Sequence, residues 1–177
     1  MKAKNNIEIE RKFIVSKDAL KESFLKSYYI KSGYTSETTS SRVNFIIDNG
    51  VKEGYVTFKG KGSVSRKEFE YKIPGEDAEY MVNDKSICPY TVEKERYNFD
   101  FNGNIWEIDR YITKINCDDR IVEVILAELE LDSEDQEFDK PNWVKLEVTN
   151  ISAFKNHKLA MHKIIPEEYL NYFEIIL

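Results

Sequence analysis

The chain has 177 residues, of which 33% are charged and 41% are apolar, and its formal net charge at pH 7 is −6. This composition excludes a disordered chain, and the length fits one domain over residues 1–177 with a core of its own. The acidic balance argues against a general nucleic-acid binder. It does not exclude a small anionic ligand, because local clustering of charge decides that.

Alternation of apolar and polar residues predicts eight strands, most of them joined by tight turns. They cover residues 7–13, 41–47, 54–59, 66–73, 93–101, 105–111, 122–131 and 144–149. Asp48-Asn49-Gly50 and Asn102-Gly103-Asn104 are strong hairpin signals. Helices are predicted over residues 16–27 and 76–85, after Ser133, and from Ser152 onwards. Strands in such an order form a sandwich or a closed barrel.

The two cysteines, Cys88 and Cys117, do not predict a zinc site. The sequence has no Cys-x-x-Cys pair and no cluster of Cys and His, and two idle thiols are typical of a reducing compartment. The N-terminal sequence has no apolar signal core, and no stretch is long enough to span a bilayer. We therefore expect a cytoplasmic protein that does not bind membranes.

Because side chains on a strand alternate between two faces, charges at every second position share one face of a predicted strand. Acids are doubled in this way at Glu8/Glu10, Glu68/Glu70, Glu107/Asp109 and Glu128/Glu130, and bases are doubled at Lys94/Arg96. One explanation is an antiparallel sheet with a dry face and a wet face, on which ion pairs are common and contribute little. The other explanation is a closed barrel with a charged interior.

The doubling of like charges favours the barrel. Carboxylates held close together raise one another's pKa unless a cation lies between them. Magnesium is bound by a few carboxylates together with water and phosphate oxygens, and Lys and Arg supply counter-charge to phosphates. A site for metal ions and phosphates therefore explains the pattern, which a solvated face does not require.

The ordered set of charged motifs resembles the CYTH domain, also called the triphosphate tunnel metalloenzyme family. The hallmark Glu-x-Glu-x-Lys is matched by Glu8, Glu10 and Lys12. The later matches are Arg42, Lys59, Arg66-x-Glu68-x-Glu70, Lys94-x-Arg96, Asp109, Ala127-Glu128-x-Glu130, Glu147-Val148-Thr149 and Leu159-Ala160. Asn44 is a departure, since the family usually has a second Arg there. The resemblance covers residues 7 to 160.

This resemblance implies an α+β, β-dominated fold: an eight-stranded antiparallel closed barrel that forms a charged tunnel, with flanking helices and a C-terminal helix. It implies a hydrolase that cleaves inorganic triphosphate with Mg²⁺ or Mn²⁺ as cofactor. The implied metal ligands are Glu8, Glu10, Asp109, Glu128 and Glu130. Substrate would be bound by Lys12, Arg42, Lys59, Arg66, Lys94 and Arg96. Glu8, Glu10 and Lys12 would be catalytic, and Glu68, Glu70 and Glu147 would support the site.

Other functions stay open at this point. An adenylyl cyclase, or a nucleoside or thiamine triphosphatase of the same fold, needs a pocket for an organic group at one tunnel mouth, and the sequence has no signature for one. A non-catalytic polyphosphate-binding module does not need so many carboxylates. The expected partner is a small molecule with a triphosphate, such as tripolyphosphate, ATP or thiamine triphosphate, with no nucleic acid and no membrane. The resemblance also implies a homodimer, which is frequent in the family.

Overall fold

The structure, a computed structural model, describes residues 6–37, 40–62 and 64–177. In chain order its strands are β1 (Ile7–Val15), β2 (Lys26–Tyr34), β3 (Ser40–Asp48), β4 (Val51–Lys59), β5 (Ser65–Ile73), β6 (Tyr90–Phe101), β7 (Asn104–Tyr111), β8 (Ile115–Cys117), β9 (Arg120–Glu123), β10 (Ile125–Glu130), β11 (Val144–Glu147), β12 (Ile164–Ile165) and β13 (Glu174–Ile175). The helices are α1 (Gly75–Asn83) and α2 (Asn156–His162).

Eight strands form a closed antiparallel barrel, as predicted. Their order around the ring is β1-β10-β7-β6-β2-β3-β4-β5, and the pairing of β5 with β1 completes it. The predicted hairpin turns are confirmed between β3 and β4 and between β6 and β7. At the first of them, Asn49 and Gly50 have φ angles of 48° and 81°, in the left-handed region that two-residue hairpins require.

The helix predicted over residues 16–27 is wrong in its extent. A short 3₁₀ helix spans Lys17–Lys21, and β2 begins at Lys26 and pairs with β6 over its whole length. The sequence KSYYIKSGY did not predict this strand, because its tyrosines and serines show no clear alternation of apolar and charged residues. The predicted strand over 144–149 is β11, which lies outside the ring and pairs with β1. The barrel therefore has eight strands, as predicted, but β2 takes the place that the prediction gave to β11.

Two further predictions need correction. The strand predicted over residues 122–131 is two strands, β9 in a small separate sheet and β10 in the barrel. No helix follows Ser133; residues 132–143 are irregular and carry Phe138 and Trp143 onto the ring of Trp106, at 6.1 and 5.5 Å between centroids. Irregular backbone lets both rings pack on Trp106, whereas helical residues five apart point in different directions.

The C-terminal segment closes one end of the barrel. A 3₁₀ turn at Ser152–Phe154 leads into α2, and a second 3₁₀ helix spans Glu167–Tyr172, where a final α-helix was expected. Phe154 and Leu159 are fully buried in a cluster with Ile14 of β1 and other barrel residues. In the described part of the chain, no helix has both the length and the apolar character needed to cross a bilayer.

Replacing Phe13 by alanine tests the covered wall of the barrel. Phe13 is fully buried, and its ring lies 5.2 Å from that of Trp106. We expect Phe13→Ala to lower the free energy of unfolding by about 3–5 kcal/mol, because a cavity replaces a buried ring. The matched control is Phe58→Ala, which should cost less than about 1 kcal/mol, since Phe58 also faces outwards but is 50% exposed. Equal losses in urea unfolding would contradict this assignment.

Candidate active site

Closure of the barrel turns the charged face of its strands inwards. The register places Glu10 opposite Glu130 and Lys12 opposite Glu128 on β10. Glu128 in turn lies opposite Glu107 on β7. Carboxylates from three strands are thus held within one interior, which confirms the barrel explanation of the doubled acids over the wet-sheet explanation.

Two cavities of about 50 Å³ each lie in the tunnel and share some of their walls. The first, here the acidic cavity, is lined by Glu8, Glu10, Glu107, Glu128 and Glu130 together with Arg42, Lys59 and Arg96. The second, here the basic cavity, is lined by Lys12, Arg42, Lys59 and Arg66 together with Glu10, Tyr34, Lys155, Asn156 and His157, among others. Most of the predicted site residues therefore line one continuous region.

Lys59 and Arg66 hold Glu8 in an ion-pair cluster. The Lys59 ammonium lies 2.7 Å from Glu8 and 2.7 Å from Glu68, and Arg66 Nε lies 2.8 Å from Glu8. Burial raises the pKa of Glu8, but Lys59 and then Arg66 outweigh burial and lower the pKa to about 2. Burial and the nearby Arg42 guanidinium lower the pKa of Lys59 to about 8. This cluster keeps the Glu8 carboxylate ionised.

Arg96 and Lys94 form a second cluster with Asp109. Arg96 bonds Asp109 at 2.7 Å and Glu128 at 2.6 Å, and it also pairs with Glu107. Lys94 and Asp109 pair with each other, and both are buried. Neither of these two lines the cavities directly, although both lie on the inner strand face that carries Arg96 and Glu107, and Asp109 orients Arg96 through two hydrogen bonds. Charges this deeply buried require such partners.

Lys12 of the hallmark motif is an ammonium ion. Burial lowers its pKa, but Glu128 and then Glu10 outweigh burial and raise the pKa above the ordinary value. Lys12 Nζ lies 2.6 Å from Glu128 Oε1. Its backbone N–H donates to Thr149 Oγ1 at 3.0 Å, which ties β1 to the chain after β11.

Arg42 has an unsatisfied donor inside the tunnel. Its Nε is buried and has no hydrogen-bond partner among the described residues, although its guanidinium borders both cavities. A buried, unpaired donor on a charged group is costly and is typical of a ligand site. The neighbouring Asn44, where a second Arg was expected, is used structurally, since its Oδ1 accepts from Ser32 Oγ at 2.7 Å.

The supporting acids divide between the tunnel and the outside. Glu68 pairs with Lys59, and Glu70 accepts from the fully buried Thr57 hydroxyl at 3.0 Å. Glu147 instead pairs with Arg11 at 2.6 Å, on the side of β1 opposite to Lys12. The structure therefore gives Glu147 a role in holding β11 against the barrel rather than in the tunnel.

Sequence reasoning did not find four of the residues that line the basic cavity: Tyr34, Lys155, Asn156 and His157. Tyr34 belongs to β2, which was not predicted as a strand. The other three come from the C-terminal segment, and no spacing in the sequence connects that segment to the tunnel. The available signal for these residues was that the polar triplet lies shortly before the matched Leu159-Ala160.

This chain is 36% identical over 155 residues to an inorganic triphosphatase of Acetivibrio thermocellus, in a match that covers 86% of this chain and 92% of that protein. It belongs to the CYTH, or triphosphate tunnel metalloenzyme, family. An inorganic triphosphatase of Nitrosomonas europaea is 31% identical over 161 residues, covering 87% of this chain and 97% of the relative.

A solved structure supports the family membership. The crystal structure of the inorganic triphosphatase NE1496 superimposes with a TM-score of 0.59 at 28% identity, and the match covers 90% of this chain and 96% of that one. No protein-family profile matches the chain. As a CYTH protein, the chain carries the hallmark Glu8, Glu10 and Lys12 on the inner face of β1.

The pKa of His157 provides a test of the electrostatics of this CYTH tunnel. Burial, then Lys158 and Lys155, lower its pKa from 6.5 to about 4. Its contribution to stability is therefore complete above pH 6.5 and is lost as the pH falls towards 4. We expect NMR ring signals of His157 in the ligand-free protein to titrate near pH 4, with the assignment given by a His157→Asn variant. A midpoint near 6.5 would contradict the placement of this side chain.

Proposed function

We propose that this chain hydrolyses inorganic triphosphate inside the charged tunnel, in a reaction that depends on Mg²⁺ or Mn²⁺. The relatives named inorganic triphosphatase support the substrate. The observation that carries the proposal is the buried Arg42 guanidinium, whose Nε has no partner in the described part of the chain while other cations surround the same space. An anion with oxygens along its length satisfies such donors.

Substrate binding requires an exchange of partners. In the structure, Lys12, Lys59 and Arg96 bond to carboxylates at 2.6 to 2.7 Å. Phosphate oxygens would replace carboxylates on these cations, and the released carboxylates would then need a cation of their own. Divalent metal ions supply it, which explains why acids and bases are present together.

The acidic cavity fits a divalent metal ion in its donor chemistry. Carboxylates from β1, β7 and β10 line it, as magnesium and manganese prefer. Glu10 forms no ion pair with any described residue, and burial, then Glu128, raise its pKa, as expected of an acid that lacks a counter-charge. In residues 6–37, 40–62 and 64–177, no three carboxylate, imidazole or thiol groups surround a common point. Glu8 and Glu128 therefore have to turn from their cations to bind metal.

The roles of the chain's own residues follow from these charges. A metal ion, when bound, polarises phosphate oxygens and makes a coordinated water more acidic. Glu8, Glu10, Glu128 and Glu130 would bind it. Lys12, Arg42, Lys59, Arg66 and Arg96 would hold the phosphates and stabilise the negative charge that develops on the transferred group. The Lys12 ammonium, once released by Glu128, can donate hydrogen bonds to a phosphate or to a water.

The charged lining of the tunnel supports inorganic triphosphate over a nucleotide or thiamine triphosphate. Each tunnel cavity measures about 50 Å³, and charged side chains line much of both cavities. A larger cavity of about 500 Å³ lies outside the barrel, between α2 and Pro166, and shares no lining residue with the tunnel. Among the cavities lined by described residues, the roomy one is therefore separate from the charged walls that would hold the phosphates.

A substrate panel tests this proposal directly. Tripolyphosphate, ATP and thiamine triphosphate are incubated with the protein and Mg²⁺ or Mn²⁺, and phosphate and cyclic AMP are both measured. We expect phosphate release from tripolyphosphate far above the other substrates, and complete loss of activity when a chelator removes the metal. Dominant cyclic AMP formation would instead indicate a cyclase. Tight tripolyphosphate binding without product would indicate a binding module.

Substitution of Arg42 tests the anion site. We expect Arg42→Ala to raise the KM for tripolyphosphate by a factor of roughly 10 to 100, the size of a lost charge-assisted hydrogen bond. Arg42→Lys keeps the charge but not the planar fork, so it should recover only part of the affinity. Arg120→Ala, which changes an exposed arginine on β9, serves as the control. An unchanged KM in Arg42→Ala would remove Arg42 from the site.

A further inference from the structure

Asn156, the first residue of α2, joins the C-terminal segment to the tunnel through a single amide group. Its Oδ1 accepts hydrogen bonds from Tyr111 Oη at 2.5 Å and from Lys12 Nζ at 3.3 Å. Its Nδ2 donates to Glu128 Oε1 at 3.1 Å. Tyr111, Lys12 and Glu128 are all buried. A lysine ammonium can only donate, so the carbonyl end of the amide must face Lys12.

The three hydrogen-bond donors of the Lys12 ammonium all have acceptors. One is the Glu128 carboxylate at 2.6 Å, and the other two are the Phe154 carbonyl and Asn156 Oδ1, each at 3.3 Å. Only the first acceptor carries a charge. The C-terminal segment thus holds the ammonium in place through two acceptors. Neither of them carries a charge, so neither neutralises the ammonium.

We propose that Asn156 is a positioning residue for triphosphate binding, which keeps the Lys12 ammonium directed into the tunnel after Glu128 has been released from it. This inference rests on the proposed function, in which Glu128 turns to a metal ion and Lys12 to a phosphate. Asn156 contacts both members of this pair, so it maintains their geometry while they exchange partners. Its neutrality is essential, because a carboxylate at this position would pair with Lys12 and compete with the phosphate.

The test compares Asn156→Ala with Asn156→Asp by calorimetric binding of imidotriphosphate, a triphosphate analogue in which NH replaces both bridging oxygens so that neither link is hydrolysed, in the presence of Mg²⁺. We expect Asn156→Ala to weaken binding about tenfold or more, the effect of losing a hydrogen bond to a charged group. Asn156→Asp, although closer in shape, should bind more weakly than Asn156→Ala. Asn171→Ala, at an exposed position, is the control.

If Asn156 had a purely structural role, Asn156→Asp would bind the analogue more tightly than Asn156→Ala, because aspartate keeps the shape and the acceptor that alanine loses. Thermal unfolding of each variant measures this structural part separately. A double-mutant cycle gives a second criterion that does not need the Asp variant to fold. In a Lys12→Ala background, Asn156→Ala should weaken binding by less than about twofold, because its effect passes through Lys12.

The outcomes separate this inference from the proposed function. If the wild-type protein neither binds imidotriphosphate nor cleaves tripolyphosphate, the proposed function fails and the inference fails with it. If the wild-type protein binds and Lys12→Ala weakens binding, but both Asn156 variants bind like wild type, only the inference is overturned. Additive effects of Lys12→Ala and Asn156→Ala would overturn it as well.

Discussion

The structure depends on the closure of its barrel through β1, which pairs with β10 along one edge and with β5 and β11 along the other. Without that closure, the charged faces of the strands would point into water, where charges need no partners. With it, acids and bases face each other across a narrow interior of low dielectric constant. Each charge must then be paired, hydrogen-bonded or satisfied by a ligand.

The same constraint shapes the outside of the barrel. Since the interior is charged, the apolar core lies between the barrel wall and the segments that cover it: α1 on β3 and β4, residues 132–143 around Trp106, and the C-terminal segment across one end. Burial of this outer core has to offset the cost of desolvating the tunnel charges. Replacing a buried ion pair by well-packed apolar residues is often neutral or stabilising by about 1–4 kcal/mol, so the tunnel charges lower the stability that the barrel could otherwise reach.

Together with the resemblance to the CYTH family, strand periodicity was sufficient to find the hallmark residues, because Glu8, Glu10 and Lys12 share a face wherever their strand lies. It could not find β2, where tyrosines fill positions that other strands give to charged residues. It could not find Asn156 either, since its contact with Lys12 spans 144 positions of the chain. That contact exists only because Phe154 and Leu159 anchor the C-terminal segment on the barrel end. Such information lies in packing, which no local pattern encodes.

The tunnel is polarised along its length, and this polarity follows from which end is closed. The C-terminal segment adds Lys155 and His157 to the basic cavity, whereas the acidic cavity ends at the exposed Glu130. The two ends of an inorganic triphosphate carry the same charge. In the proposed function, the protein would therefore set the direction of the substrate: phosphates near the carboxylates would require metal, and the phosphate near Lys12 would be neutralised by side chains. In this arrangement the metal-bound and the side-chain-bound phosphates would be chemically distinct before any bond is broken.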